Sequence, residues 1–171
     1  MKGQKMDGSI QVYYGNGRGK TTAALGLGIR AAGVGKQVIM VQFLKKKHSD
    51  TLDFLKKLEP ELQIFRFEKA ACGYSDLSPK EKQEQMLNIK NALGYSRKVL
   101  DTGQCDLLIL DEIFGLVDYN IITIEELMDL IAVKKDSMDL ILTGRNLPDE
   151  VREIADCVYS CLLYTSDAAD D

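Results

Sequence analysis

The sequence predicts an α/β fold built on a mainly parallel sheet. Three observations carry that prediction. Short apolar runs alternate with segments of helical periodicity along the chain, the pattern of parallel strands joined by crossover helices. The first run, Ile10-Gln11-Val12-Tyr13-Tyr14, passes through a glycine-rich turn into a helix. A later run, Leu107-Leu108-Ile109-Leu110, ends in Asp111 and Glu112, as a buried parallel strand does when it delivers carboxylates to its C-terminal edge.

The turn is Gly15-Asn16-Gly17-Arg18-Gly19-Lys20-Thr21-Thr22. Strand, glycine-rich turn and helix together make the setting of a phosphate-binding loop. Glycines let the backbone turn tightly and aim its N–H groups inward, and the helix adds free amides and the positive end of its dipole. Lys20 supplies a charge for the outer phosphates, and the Thr21 hydroxyl is suited to a magnesium ion. The spacing is shortened: three residues separate Gly15 from Gly19, and Tyr14 stands where the usual first glycine would fall. A nucleotide is therefore expected, although the loop alone does not name the reaction.

Taken in order, residues 21–32 read as a helix closed by Gly33-Val34-Gly35. Residues 38–43 are a nearly continuous apolar strand. Lys45-Lys46-Lys47-His48 follow, either as a solvated loop or as a basic lip for an anionic ligand, since loops after such strands often face the ligand. His48 is the one histidine and has no evident metal-binding partner. Residues 51–57 form a short helix, and the alternating Gln63-Ile64-Phe65-Arg66-Phe67 reads as a strand near an edge. After a loop over 68–78, Ser78, Pro79 and Glu81 form a helix start with a capping box. Met86, Ile89, Leu93 and Leu100 recur at helical spacing and are assigned to the core. Residues 113–119 make a short helical segment, and Thr123 caps another helix. Asp139-Leu140-Ile141-Leu142-Thr143-Gly144-Arg145 is a further buried strand, whose Arg145 either reaches the nucleotide or is an ordinary surface arginine. Residues 148–155 form a helix and 156–161 a last strand.

Composition sets outer bounds. A chain of 171 residues at 45% hydrophobic content supports one domain with a sizeable core. A net charge of −4 argues against a nucleic-acid surface. No apolar run is long enough for a membrane helix, and the first residues lack the apolar core of a signal peptide. Cys72, Cys105, Cys157 and Cys161 form no CxxC and no Cys/His cluster, so a reduced, cytoplasmic chain is expected.

With both phosphate signals placed, the chain resembles the P-loop corrinoid adenosyltransferases, the cob(I)alamin or cob(I)yrinic acid a,c-diamide adenosyltransferases. The matching residues are the shortened loop through Ala23-Ala24, then Arg30-Ala31-Ala32-Gly33, Gly35-Lys36, Val41-Gln42-Phe43, Leu110-Asp111-Glu112 and Thr143-Gly144-Arg145. They run in the family's order from residue 9 to about residue 158. The resemblance implies a P-loop NTPase-like three-layer sandwich with a mainly parallel sheet. It implies transfer of the 5′-deoxyadenosyl group of ATP to the reduced cobalt of a corrinoid, with release of triphosphate, and ATP bound in the reverse sense across the loop. Gly15, Asn16, Gly17, Arg18, Gly19, Lys20, Thr21, Thr22, Arg30 and Arg145 are the implied ATP contacts, and Lys20, Thr21 and Glu112 the implied catalytic set. Thr21 and Glu112, supported by Asp111, are implied for magnesium, and Tyr74 for the corrinoid. A homodimer and an electron-donating reductase are implied as partners; no nucleic acid or membrane is expected.

The sequence departs from the family in places. Arg18 replaces the usual lysine and keeps its charge. Asp76 stands where some members carry tryptophan. Residues 161–171 replace a longer basic, glycine-containing tail, so the single domain is expected over 1–160 and the rest is set aside as truncated or foreign. A long N-terminal helix of some members has no counterpart. Two rival readings are carried: a P-loop ATPase or small-molecule kinase, which would release ADP, and a non-catalytic ATP-binding module.

Overall fold

The computed structural model describes residues 7–45, 50–67 and 72–164. Among them six strands form one sheet: β1 (Ile10–Tyr14), β2 (Val38–Gln42), β3 (Leu62–Phe65), β4 (Leu107–Asp111), β5 (Asp139–Gly144) and β6 (Cys157–Ser160). Their order is β3-β2-β4-β5-β1-β6, and every adjacent pair is parallel. The helices are α1 (Lys20–Gly33), α2 (Asp50–Leu55), α3 (Pro79–Thr102), α4 (Ile113–Asp118), α5 (Ile124–Ala132) and α6 (Asp149–Ile154).

The apolar runs divide between two cores because a strand's side chains alternate faces. Val38, Met40, Leu107, Ile109 and Ile141 pack on one side with Ala24 of α1. Ile39, Val41, Leu108, Leu110, Leu140 and Leu142 pack on the other with residues of α3, α4 and α5. This is the expected three-layer α/β arrangement. Every position of β2 and β4 is buried, as suits central strands covered on both faces. The alternating segment, β3, is indeed an edge strand.

α1 comes close to the sheet through Gly28, where an added Cβ would lie 3.1 Å from Ile109 Cδ1. α3 begins with the expected capping box: Ser78 N–H donates to Glu81 Oε2 at 2.8 Å and Glu81 N–H to Ser78 Oγ at 3.3 Å. Its buried face is Gln85, Ile89, Ala92, Ser96, Val99 and Leu100. Ile89 and Leu100 are fully buried as expected and Leu93 packs half-buried against the same core, while Met86 is half-buried. Ala92 and Ser96 share the buried face, and Ser96 Oγ donates to Ala92 O at 2.8 Å. Thr123 caps α5 through a second capping box with Glu126.

Candidate active site

The strand order creates the site. The chain leaves β1, crosses β5 and β4, and enters β2, so the C-terminal edges of β1, β5, β4 and β2 lie side by side. In open parallel sheets such a switch point is where ligands bind. A cavity of about 520 Å³ lies there, lined by Asn16, Lys20, Leu44, Lys45, Glu112, Gly115, Asp118, Tyr119, Arg145 and Asn146.

The loop reaches this edge because β1 ends at Tyr14 and Gly15 and Gly19 take left-handed φ values of 125° and 105°. α1 then starts with no side-chain cap, so no side chain of the loop takes up its first amides, the arrangement that suits an anion at a helix N-terminus. Lys20 curls back over the loop, donating to Gly15 O at 2.7 Å and Gly17 O at 2.8 Å. The chain after β6, set aside in the sequence, packs here. Gly17 N–H donates to Cys161 O at 2.8 Å, Cys161 N–H to Tyr14 O at 2.7 Å, and Leu163 N–H to Asn16 Oδ1 at 3.2 Å. A Cβ on Gly15 or Gly17 would strike the Cys161 backbone, so both glycines have a packing reason besides amide access.

Below the loop, Asp111 is fully buried and collects donors from α1, β5, β2 and the turn after β2. Thr21 Oγ1 lies 2.9 Å from Oδ1, Thr143 Oγ1 donates to Oδ1 at 2.7 Å, and Gln42 Nε2 donates to Oδ2 at 3.1 Å. Lys45 Nζ stands 3.5 Å from Oδ2 and 3.3 Å from Thr21 Oγ1. Arg66 Nε donates to Gln42 Oε1 at 2.6 Å. Burial lowers the Arg66 pKa, and the negative charge of Asp111 works against that shift. A buried carboxylate is tolerated only with this kind of saturation.

Glu112 is placed differently. It takes φ 61° at the junction of β4 and α4, a region that costs a residue with a Cβ roughly 1–3 kcal/mol. Its N–H donates to Thr143 Oγ1 at 2.9 Å, and its residue lines the cavity. One hydroxyl, Thr143, thus fixes both acids at the end of β4. Leu44, also on the cavity wall, is a second non-glycine residue at positive φ, 55°.

The candidate residues separate accordingly. Lys20, Asn16, Glu112 and Arg145 line the cavity; Thr21 and Asp111 lie bonded together beside it. Arg18 and Thr22 are exposed next to the loop. Arg30 is not brought to the cavity: it is exposed in the last turn of α1, about 15 Å along the axis from Lys20 at 1.5 Å per residue. Tyr74 packs on Tyr119 with ring centres 5.3 Å apart, one ring behind the cavity wall. Lys45 belongs to the site, in line with the basic-lip reading, whereas Lys46, Lys47 and His48 lie outside the described residues. Asp118, Tyr119 and Asn146 were not anticipated. Asn146 Nδ2 donates to Asp118 Oδ2 at 3.1 Å, joining the end of α4 to the turn after β5. The position of Asn146 directly after Thr143-Gly144-Arg145 is the one sequence signal that pointed to it.

Hard oxygen donors suit magnesium, and the Thr21 hydroxyl and Glu112 carboxylate are of that kind. Among the described residues no group of three or more His, Cys, Asp or Glu side chains forms a metal cage. No helix among them is long and apolar enough to cross a membrane.

Comparison with known proteins agrees with this geometry. Residues 6–164 match the family model described as ATP:corrinoid adenosyltransferase BtuR/CobO/CobP. The chain is 31% identical over 151 residues to the corrinoid adenosyltransferase of Escherichia coli strain K12, spanning 88% of this chain and 74% of that protein. It is 30% identical over 155 residues to corrinoid adenosyltransferase CobA of Salmonella typhimurium strain LT2, spanning 91% and 76%. Among solved structures, the KaiC-like protein PH0186 of Pyrococcus horikoshii OT3 superposes with a TM-score of 0.61 at 20% identity, over 95% of this chain and 74% of that one. That likeness concerns the fold alone and supports a three-layer P-loop NTPase-like architecture. The loop, the acid-bearing strand and the match over most of the chain converge: the chain belongs to the ATP:corrinoid adenosyltransferase family.

Proposed function

We propose that this protein transfers the 5′-deoxyadenosyl group of ATP to the reduced cobalt of a corrinoid. The cobalt electron pair forms the new cobalt–carbon bond at C5′. The C5′–O bond breaks, and triphosphate leaves with that electron pair. The observation that carries the reading, beyond family membership, is the lining of the cavity. Lys20, Lys45 and Arg145 supply positive charge beside the carboxylates of Glu112 and Asp118, and Tyr119, backed by Tyr74, adds an aromatic ring.

The reaction needs no general base, because the substrate cobalt is itself the nucleophile. The protein's tasks are alignment and stabilisation of charge growing on the leaving group. Lys20, Arg145 and the α1 amides bind the triphosphate. Thr21 and Glu112 are the residues that would hold magnesium, with Asp111 orienting Thr21 from beneath. Magnesium, when bound, supplies further neutralisation of the triphosphate. A cavity of about 520 Å³ suits a nucleotide-sized ligand. A corrin macrocycle is larger, so it docks across the mouth, beside Tyr119 and Tyr74. We place the enzyme in the cytoplasm as a homodimer served by a reductase, in adenosylcobalamin biosynthesis or salvage.

The ATPase or kinase reading would set Glu112 to position water or an acceptor hydroxyl, and the binding-module reading would have ATP bound without turnover. Family membership weighs against both. The test is anaerobic mixing of the protein with magnesium, ATP and chemically reduced cobalamin while the cobalt spectrum is followed. A light-sensitive alkylcobalt spectrum, abolished by Lys20→Ala, is expected. An unchanged cobalt spectrum with ATP consumed would overturn the proposal.

A further inference from the structure

We propose that Lys45 is an exchangeable internal counter-ion of the metal-binding edge, which makes divalent-cation binding depend on nucleotide. The inference rests on the proposed nucleotide-and-metal reading of the same cavity and goes beyond it by assigning a positioning role to Lys45.

The Lys45 ammonium lies 3.3 Å from Thr21 Oγ1 and 3.5 Å from Asp111 Oδ2. These are oxygens to which a cation at this edge is drawn. Asp111 has no exposure, whereas the Lys45 side chain keeps 29% of its surface exposed. The carboxylate is therefore fixed and the ammonium can leave. A buried carboxylate without a nearby positive charge is costly. The other groups that donate to Asp111 are the neutral Thr21, Thr143 and Gln42, and the Arg66 charge acts on Asp111 from behind Gln42, to which Arg66 Nε donates. Lys45 also lines the cavity beside Lys20 and Arg145.

One side chain therefore has two possible partners. With Asp111 and Thr21 as its partners, it repels a divalent ion approaching alone. Phosphates entering with their metal offer the ammonium a second anion, and the divalent ion takes over neutralisation of Asp111. Metal and nucleotide then favour each other's binding, as thermodynamic linkage requires. A free divalent ion gains little purchase on the protein.

The test is titration of the nucleotide-free protein with Mn²⁺, followed by the loss of the free-ion electron paramagnetic resonance signal. Wild type, Lys45→Met and Lys45→Arg are compared after thermal melts show each is folded. Lys45→Met is expected to bind Mn²⁺ at least tenfold more tightly than wild type, and Lys45→Arg to remain as weak as wild type. Adding Thr21→Val to Lys45→Met is expected to remove the gain, which locates the ion. With β,γ-imido-ATP present, the gap between wild type and Lys45→Met is expected to close to within about threefold. Equal Mn²⁺ affinity of nucleotide-free wild type and Lys45→Met, with both binding the Mn²⁺–nucleotide complex, would overturn the role of Lys45 alone. Failure of wild type to bind that complex would overturn the underlying nucleotide-and-metal reading.

Discussion

Replacing Thr143 by valine removes one hydroxyl and leaves side-chain volume almost unchanged. That hydroxyl donates to the buried Asp111 carboxylate at 2.7 Å and accepts the Glu112 N–H at 2.9 Å. The residue has no exposure, so water does not replace the lost partners. A hydrogen bond to a charged group contributes about 1.5–3 kcal/mol, and a stranded buried amide costs about 1–3 kcal/mol. The sum, roughly 2.5–6 kcal/mol, is a large share of the 5–15 kcal/mol typical of a domain. At about 2–4 °C per kcal/mol for a chain of this size, Tm should fall by about 10 °C. Urea unfolding followed by circular dichroism measures the free energy directly, and adenosylation should fall as well because Glu112 loses its anchor. Thr143→Ser should restore most of both. A Thr143→Val protein within about 1 kcal/mol of wild type would refute the claim that this hydroxyl fixes the two acids.

Other outcomes follow from single positions. Glu112→Gly should abolish adenosylation yet raise stability by about 1 kcal/mol in the same urea assay, since glycine accepts the left-handed φ of 61° without strain. Gly94→Ala, in the exposed interior of α3 with nothing within 4 Å of the new Cβ, should stabilise by about 0.5–1 kcal/mol. Gly28→Ala should not, because its Cβ meets Ile109 Cδ1 at 3.1 Å. Burial pushes the Cys105 thiol from 9.0 up to about 12, which cuts its thiolate fraction near pH 8 about a thousandfold. Alkylation mapped by mass spectrometry should label exposed Cys157 in the native protein and Cys105 only after unfolding.

What could be read in the sequence was local. Ile10–Tyr14, the capping box at Ser78, the cap at Thr123 and the acid-bearing strand Leu107–Asp111 each follow from a few neighbouring residues. Their alternation with helices was enough for the fold class. Strand order is not written locally, and the cavity depends on it. Lys45 meets Thr21 and Asp111 because β2 lies beside β4, and Asn146 meets Asp118 because the turn after β5 lies beside α4. Arg30 is the converse case: the family resemblance placed it near the nucleotide, and ten residues of α1 set it at the far end of that helix from Lys20. Cys161 to Leu163 had no motif of their own, and their backbone contacts with the loop come from the parallel pairing of β6 with β1.

The most direct test of the central claim follows the carbon that moves. ATP labelled with ¹³C at C5′ is incubated anaerobically with the protein, magnesium and chemically reduced cobalamin, and the products are separated in the dark. The label is expected on cobalt, with one equivalent of triphosphate for each equivalent of alkylcobalt and return of the label to solution on illumination. Label retained in ADP, with orthophosphate or a phosphorylated acceptor as the second product, would contradict it.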